Sequence, residues 1–202
     1  MFQGSRGRAS RPLPEAMQTE VIALGDRFGE PLVRVAPLDD VGFDPVGDPG
    51  RFAEVCMVVR RPAGTLLLST KTFYPPGAHR LPTGGIDAGE PILAAVLRET
   101  HEETGLTVEL RRFLAAITYL HGAGGPPVFH TFAFLLEEQG GDLGPLDRSE
   151  QISEYIEIAP ERLPDVADRL AALPAGAAPG GTWSAWGRFR AVVHRLVAEA
   201  LT

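Results

Sequence analysis

Cysteine is almost absent from this chain of 202 residues: Cys56 stands alone, so no disulfide can form within it. That scarcity fits a reducing compartment, where thiols stay free. No run of 18 apolar residues occurs, which leaves no candidate for a helical membrane span, and the N-terminus has no apolar signal core. The expectation is a cytoplasmic protein without a membrane partner. Basic residues are outnumbered, 19 Lys and Arg against 26 Asp and Glu, for a net charge of −7. This balance argues against a nucleic-acid backbone as a stable partner, although not against a small nucleotide that meets a local positive charge. The five histidines show no paired metal-ligand spacing. A Gly-x-Ser-x-Gly elbow, a P-loop lysine motif and a Rossmann fingerprint are all missing.

What is present is an ordinary soluble composition, 44% hydrophobic and 22% charged, in a length that fits one domain with extensions. Residues 1–18, rich in Gly, Ser, Arg and Pro, read as a disordered tail ahead of a single domain over 19–202. Residues 19–24 and 31–36 read as a pair of short strands around Gly25 to Gly29, and 39–50 as a turn-rich linker. Residues 52–60 and 65–69 are apolar enough for the central strands of a covered sheet. Further strands are expected over 108–120, 128–137 and 154–158. Helices are expected over 161–173 and 185–201; Trp183, Trp186 and Phe189 would pack the last one onto the domain, and its length would suit a homodimer contact.

The most informative stretch is 84–106. It opens as a glycine loop and continues as a helix from Pro91, suited to a first turn, to Gly105, suited to the left-handed position that closes one. At 100° per residue, Leu93, Val96, Leu97, Thr100 and Thr104 share the arc expected to face the core. Glu99, Glu102 and Glu103 share the adjacent arc. Three carboxylates at i, i+3 and i+4 repel one another, and Arg98 alone cannot balance them. Hard divalent cations take such oxygen ligands, and Mg²⁺ keeps waters and substrate phosphates in its remaining positions. The ridge therefore either holds Mg²⁺ or Mn²⁺, with Glu99 and Glu103 as principal ligands and Glu102 as a third, or merely solvates a surface helix.

The stretch resembles the Nudix box, G-x5-E-x7-R-E-U-x-E-E-x-G-U with U a bulky apolar residue. Gly84, Glu90, Arg98, Glu99, Glu102, Glu103, Gly105 and Leu106 fill its places, while Thr100 departs from one apolar position. The Thr100 hydroxyl is expected to bond back to the carbonyl of Val96. The resemblance implies an α/β fold, an α/β/α sandwich on a mixed β-sheet with the box as loop, helix and loop, plus a C-terminal helix. It implies a metal-dependent pyrophosphohydrolase acting on a nucleoside diphosphate linked to another group. It also implies a further metal ligand in the backbone carbonyl of Thr83 or Gly84, with Arg98 and Glu90 holding the carboxylates in place. The general base would come from a box glutamate or from a downstream loop carboxylate, where Glu150, Glu154 and Asp147 are the candidates.

Arg80 and Gly85, on either side of the loop, are expected to reach a phosphate, and Tyr119, Phe73 or Tyr74 to stack a nucleobase. His130 is read as facing either the cleft or the core. Substrate choice stays open. Gly122 stands about where ADP-ribose-specific members carry a proline, Tyr119 lies near the tyrosine of diadenosine polyphosphate hydrolases, and no coenzyme A pattern is recognisable over 66–85. The competing reading is a non-catalytic nucleotide-sensing module on the same fold; such modules often lose box carboxylates, and this chain keeps them all.

Overall fold

The computed structural model describes residues 10–38, 44 and 51–202. Most of the expected tail, 1–9, and nearly all of the expected linker lie outside them. The first element corrects the sequence reading. Instead of a strand over 19–24, helix α1 runs Glu15–Phe28 and takes in the last residues assigned to the tail. Met17, Val21, Leu24 and Phe28 recur at helical spacing and pack on one core cluster. Gly29, at φ 92°, ends the helix, and strand β1 (Leu32–Leu38) follows. Its neighbour is β5 (Leu106–His121), in parallel, so there is no N-terminal hairpin.

The strands β2 (Ala53–Arg60), β3 (Leu66–Lys71), β4 (Thr83–Gly85), β6 (Pro127–Gly141) and β7 (Ile152–Ile158) complete one mixed sheet. Its order is β1-β5-β6-β2-β3-β7, with β4 added to β2. The β1/β5 and β2/β6 pairs are parallel and the others antiparallel. Along β2 the burial is unbroken from Ala53 to Val59 because helices cover both faces. Val55, Met57 and Val59 face α1 and the box helix α2 (Ile92–Thr104). Cys56 and Val58 face the layer of α3 (Leu163–Ala171) and α4 (Trp183–Leu201). This is the expected α/β/α sandwich.

A two-residue hairpin, Ala177–Ala178 with Gly181–Thr182, occupies the stretch expected to be loop. The Thr182 side chain then caps α4 by accepting from the Ala185 N–H at 3.2 Å. The apolar side of α4 turns inward onto the sheet. Among the described residues no helix is long and apolar enough to cross a membrane.

Candidate active site

The box opens within β4, where Gly84 and Gly85 pair with β2 instead of forming the expected loop, and continues through residues 86–91 into α2 and on to β5. Gly105 closes α2 at φ 68° and donates its N–H to the His101 carbonyl. A Cβ there would also lie 2.6 Å from the Asp142 carbonyl oxygen and 2.7 Å from that of Gly144, so conformation and space both require glycine. Thr100 donates to the Val96 carbonyl at 2.6 Å, as expected for a hydroxyl without a polar neighbour. The buried face of α2 is rotated from the expected arc: Leu97 is exposed, while Ile92, Ala95, Glu99 and Glu103 are buried. Two carboxylates thus sit at the border of the core, where they are desolvated.

Arg98 organises the near side of the ridge. Its Nε and Nη2 each donate to a different oxygen of Glu90 at 2.7 Å, and Nη2 also reaches the Gly85 carbonyl at 3.0 Å. Nη1 donates to Glu99 at 3.0 Å and to Glu102 at 2.9 Å. This guanidinium holds the Glu90 carboxyl below the ordinary range. Glu99 moves the other way, to about 6, because burial disfavours its charge and Glu103 and Glu150 add repulsion that Arg98 only partly offsets. Its carboxyl lies directly on Gly84, where a Cβ would come within 2.0 Å of Cδ.

Glu103, 1% exposed, defines the far side. Lys71 Nζ and Arg80 Nη2 each stand 3.6 Å from its Oε1, while its Oε2 is buried without a hydrogen-bond partner. Tyr155 donates its hydroxyl proton to the Glu103 carbonyl. Lys71 Nζ also donates to Glu150 at 3.1 Å, so Glu99, Glu103 and Glu150 face a common space. As the side chains stand, with Arg98 and Lys71 set among them, no three ligand side chains among the described residues form a closed metal cage.

The other candidates separate. Glu154 is engaged with His79 at 2.8 Å, and Asp147 accepts from the Ser149 N–H at 2.8 Å. Arg80, expected to reach out to a phosphate, is instead wholly buried beneath Glu103, donates to the Leu81 carbonyl at 3.0 Å and lies 5.9 Å from the Tyr74 ring. Tyr119, expected at the substrate, is 1% exposed and packs on Phe129 and Phe189 in the α4 layer. Alternation along β5 turned it inward. His130 is buried too, with Nε2 3.0 Å from the Arg11 carbonyl oxygen, and burial lowers its pKa. His101 lies on the exposed side of α2.

Several contributors escaped the sequence reading. Lys71 ends an apolar strand and joins Glu150 across 79 residues. The Arg51 guanidinium lies on Gly85, where a Cβ would meet it at 2.0 Å. Glu20 of α1 accepts from the N–H groups of Ile92 and Leu93 at 2.8 and 3.0 Å and so caps the box helix. None of these has a local signal, because each partner comes from another element.

Comparison with known proteins found several similar chains. The "NAD-capped RNA hydrolase NudC" of Chromobacterium violaceum is 28% identical over 110 residues, 54% of this chain and 39% of that protein. An "8-oxo-(d)GTP phosphatase" of Mycolicibacterium smegmatis is 39% identical over 72 residues, 36% of this chain and 21% of that protein. The chain therefore spans less than half the length of either relative. Among solved structures, a C. elegans Ap4A hydrolase in a binary complex is 24% identical with a TM-score of 0.44, covering 57% of this chain and 86% of that one. The NUDIX domain model matches residues 50–178, which contain the glycine loop, the Arg98 clamp and the glutamate ridge, and the chain belongs to that family.

Proposed function

We propose that this chain is a divalent-metal-dependent pyrophosphohydrolase that cleaves a nucleoside diphosphate linked to another moiety. The observation that carries this reading is the Glu103 carboxylate, whose Oε2 is buried and lacks any donor. A buried charged oxygen left unpaired is costly, and a cation satisfies it. The fit extends to Glu99, which rests on a glycine where any side chain would displace it. Glu99, Glu103 and Glu102 would hold the ion, with the carbonyl of Thr83 or Gly84, and Glu150 lies close enough to join them. When bound, Mg²⁺ or Mn²⁺ neutralises the phosphoanhydride oxygens and makes a coordinated water more acidic.

The protein side chains supply positioning. Arg98 fixes the directions of Glu90, Glu99 and Glu102 and ties them to the loop through the Gly85 carbonyl. Gly85, without a side chain, lets the Arg51 guanidinium rest on β4, and Arg51, which is exposed, can meet an anionic substrate. Glu150, partly exposed, or Glu102 would accept a proton from water, the role proposed for each here.

The relatives' names set the substrate panel: NAD-type dinucleotides, 8-oxo-nucleoside triphosphates and diadenosine polyphosphates, with ADP-ribose and nucleotide sugars added. Each is incubated with and without Mg²⁺ and the products are separated by chromatography. Metal-dependent release of a nucleotide product is expected for at least one of them. Tight binding of these compounds with no product under any metal condition would replace the hydrolase by a sensing module.

A further inference from the structure

Glu103 meets two cations that differ in exposure and in their other partners. The Arg80 side chain is 2% exposed, whereas that of Lys71 is 18% exposed and rides on a flexible four-carbon stem. Both stand at the same distance, 3.6 Å, from Glu103 Oε1. Lys71 alone also bridges to Glu150, at 3.1 Å. Alternation along β3 puts it on the face of Leu67, the one that α2 covers, and the register of β3 with β7 shifts between Thr70 and Lys71.

The backbone holds this bridge in place. Gln151, next to Glu150, has φ 54°, and among the described residues it is the one non-glycine with positive φ. Its carbonyl accepts from the Thr72 N–H at 2.8 Å, which joins the segments carrying Glu150 and Lys71. Strain of this kind persists only where surrounding contacts enforce it.

We propose that Lys71 is an exchangeable counter-cation. It binds Glu103 and Glu150 while no divalent ion is present, and it yields that place when an ion arrives, so it sets the ion's affinity. Arg80 stays and remains the fixed countercharge. The inference rests on the metal-binding reading above, and its content is the competition between one side chain and the ion.

The test uses the full chain and Mn²⁺ alone, with free Mn²⁺ followed by electron paramagnetic resonance and melting temperatures recorded in EDTA and in Mn²⁺. Lys71→Gln removes the competitor. It should bind Mn²⁺ about fivefold or more tightly than wild type, the lower end of ordinary coupling between two sites. It should also melt lower in EDTA and gain more on adding Mn²⁺. Lys71→Arg strengthens the competitor, because a guanidinium grips carboxylates in a planar fork, and should bind Mn²⁺ more weakly. A well-folded Lys71→Gln protein that binds no more tightly than wild type overturns the proposal. Should that variant fail to fold, Lys71→Arg decides alone, and unchanged or tighter binding overturns the proposal. Wild type that binds no Mn²⁺ overturns this inference and the hydrolase reading together, whereas wild type that binds it with Lys71→Gln no tighter overturns only the role of Lys71.

Discussion

Glu99 links burial to acidity. Its folded pKa, about 6, lies above the ordinary 4.5, so the folded protein binds more protons than the unfolded chain between those values. Below pH 4.5 the full contribution of protonated Glu99 is present; it fades as pH rises through 6. In EDTA, wild-type melting temperature should therefore fall relative to Glu99→Gln as pH is raised from 4.5 to 7, and added Mn²⁺ should reverse the difference at pH 7. Parallel melting profiles for the two proteins would contradict this origin. Arg98 is the second residue with a measurable role. A lysine cannot serve Glu90, Glu99, Glu102 and the Gly85 carbonyl at once, so Arg98→Lys should lower kcat about 10- to 100-fold with the fold intact by circular dichroism. The spacing of these residues was readable in the sequence. That Glu99 and Glu103 sit at the core border was not, because one residue's rotation of the helix decides it.

At the scale of elements, the box works through what touches it. Gly84→Ala places a methyl within 2.0 Å of the Glu99 carboxyl carbon, so the carboxylate must shift. A displacement of about 1 Å at a catalytic group costs about 100-fold in rate, and that loss is expected in a protein that still folds. Single-turnover measurements at saturating Mg²⁺ check it. Glu20→Gln tests the cap that α1 provides for α2. Loss of the charge at two helix N–H groups should lower stability by about 1 kcal/mol in urea unfolding, in the range for caps and helix-end charges. The box helix was legible because Pro91, Gly105 and the apolar stripe all lie within it. Helix α1 was misread because Val21 and Ile22 suggested a strand locally, while the stripe from Met17 to Phe28 acquires meaning only against the core it covers.

Across the whole molecule, α4 secures Leu81, in the segment that leads into β4. The Leu81 N–H donates to His194 Nε2 at 2.9 Å, and His194 Nδ1–H donates to the Arg190 carbonyl at 2.7 Å, which fixes a neutral tautomer. Burial drives the His194 pKa down to about 3. The unfolded chain takes up that proton near pH 6.5, so this contribution is complete above that pH and is lost as pH falls toward 3. His194→Ala should cost about 1–3 kcal/mol through the orphaned Leu81 N–H and flatten the acid side of the stability profile, both read from urea titrations between pH 4 and 8. The neighbouring Arg190–Glu54 pair, 2.7 Å apart and buried, anchors the same helix to β2.

By itself the sequence determined the parts whose information is local: the helix with its acidic ridge, the apolar strands and the terminal helix. Periodicity and turn chemistry act over a few residues, so they survive in one dimension. Only the tertiary structure decided the pairings across long separations, 72 residues for Glu20 with Ile92, 79 for Lys71 with Glu150, 113 for Leu81 with His194 and 136 for Glu54 with Arg190. Strand order and sheet face select those partners, and neither is a property of any short stretch.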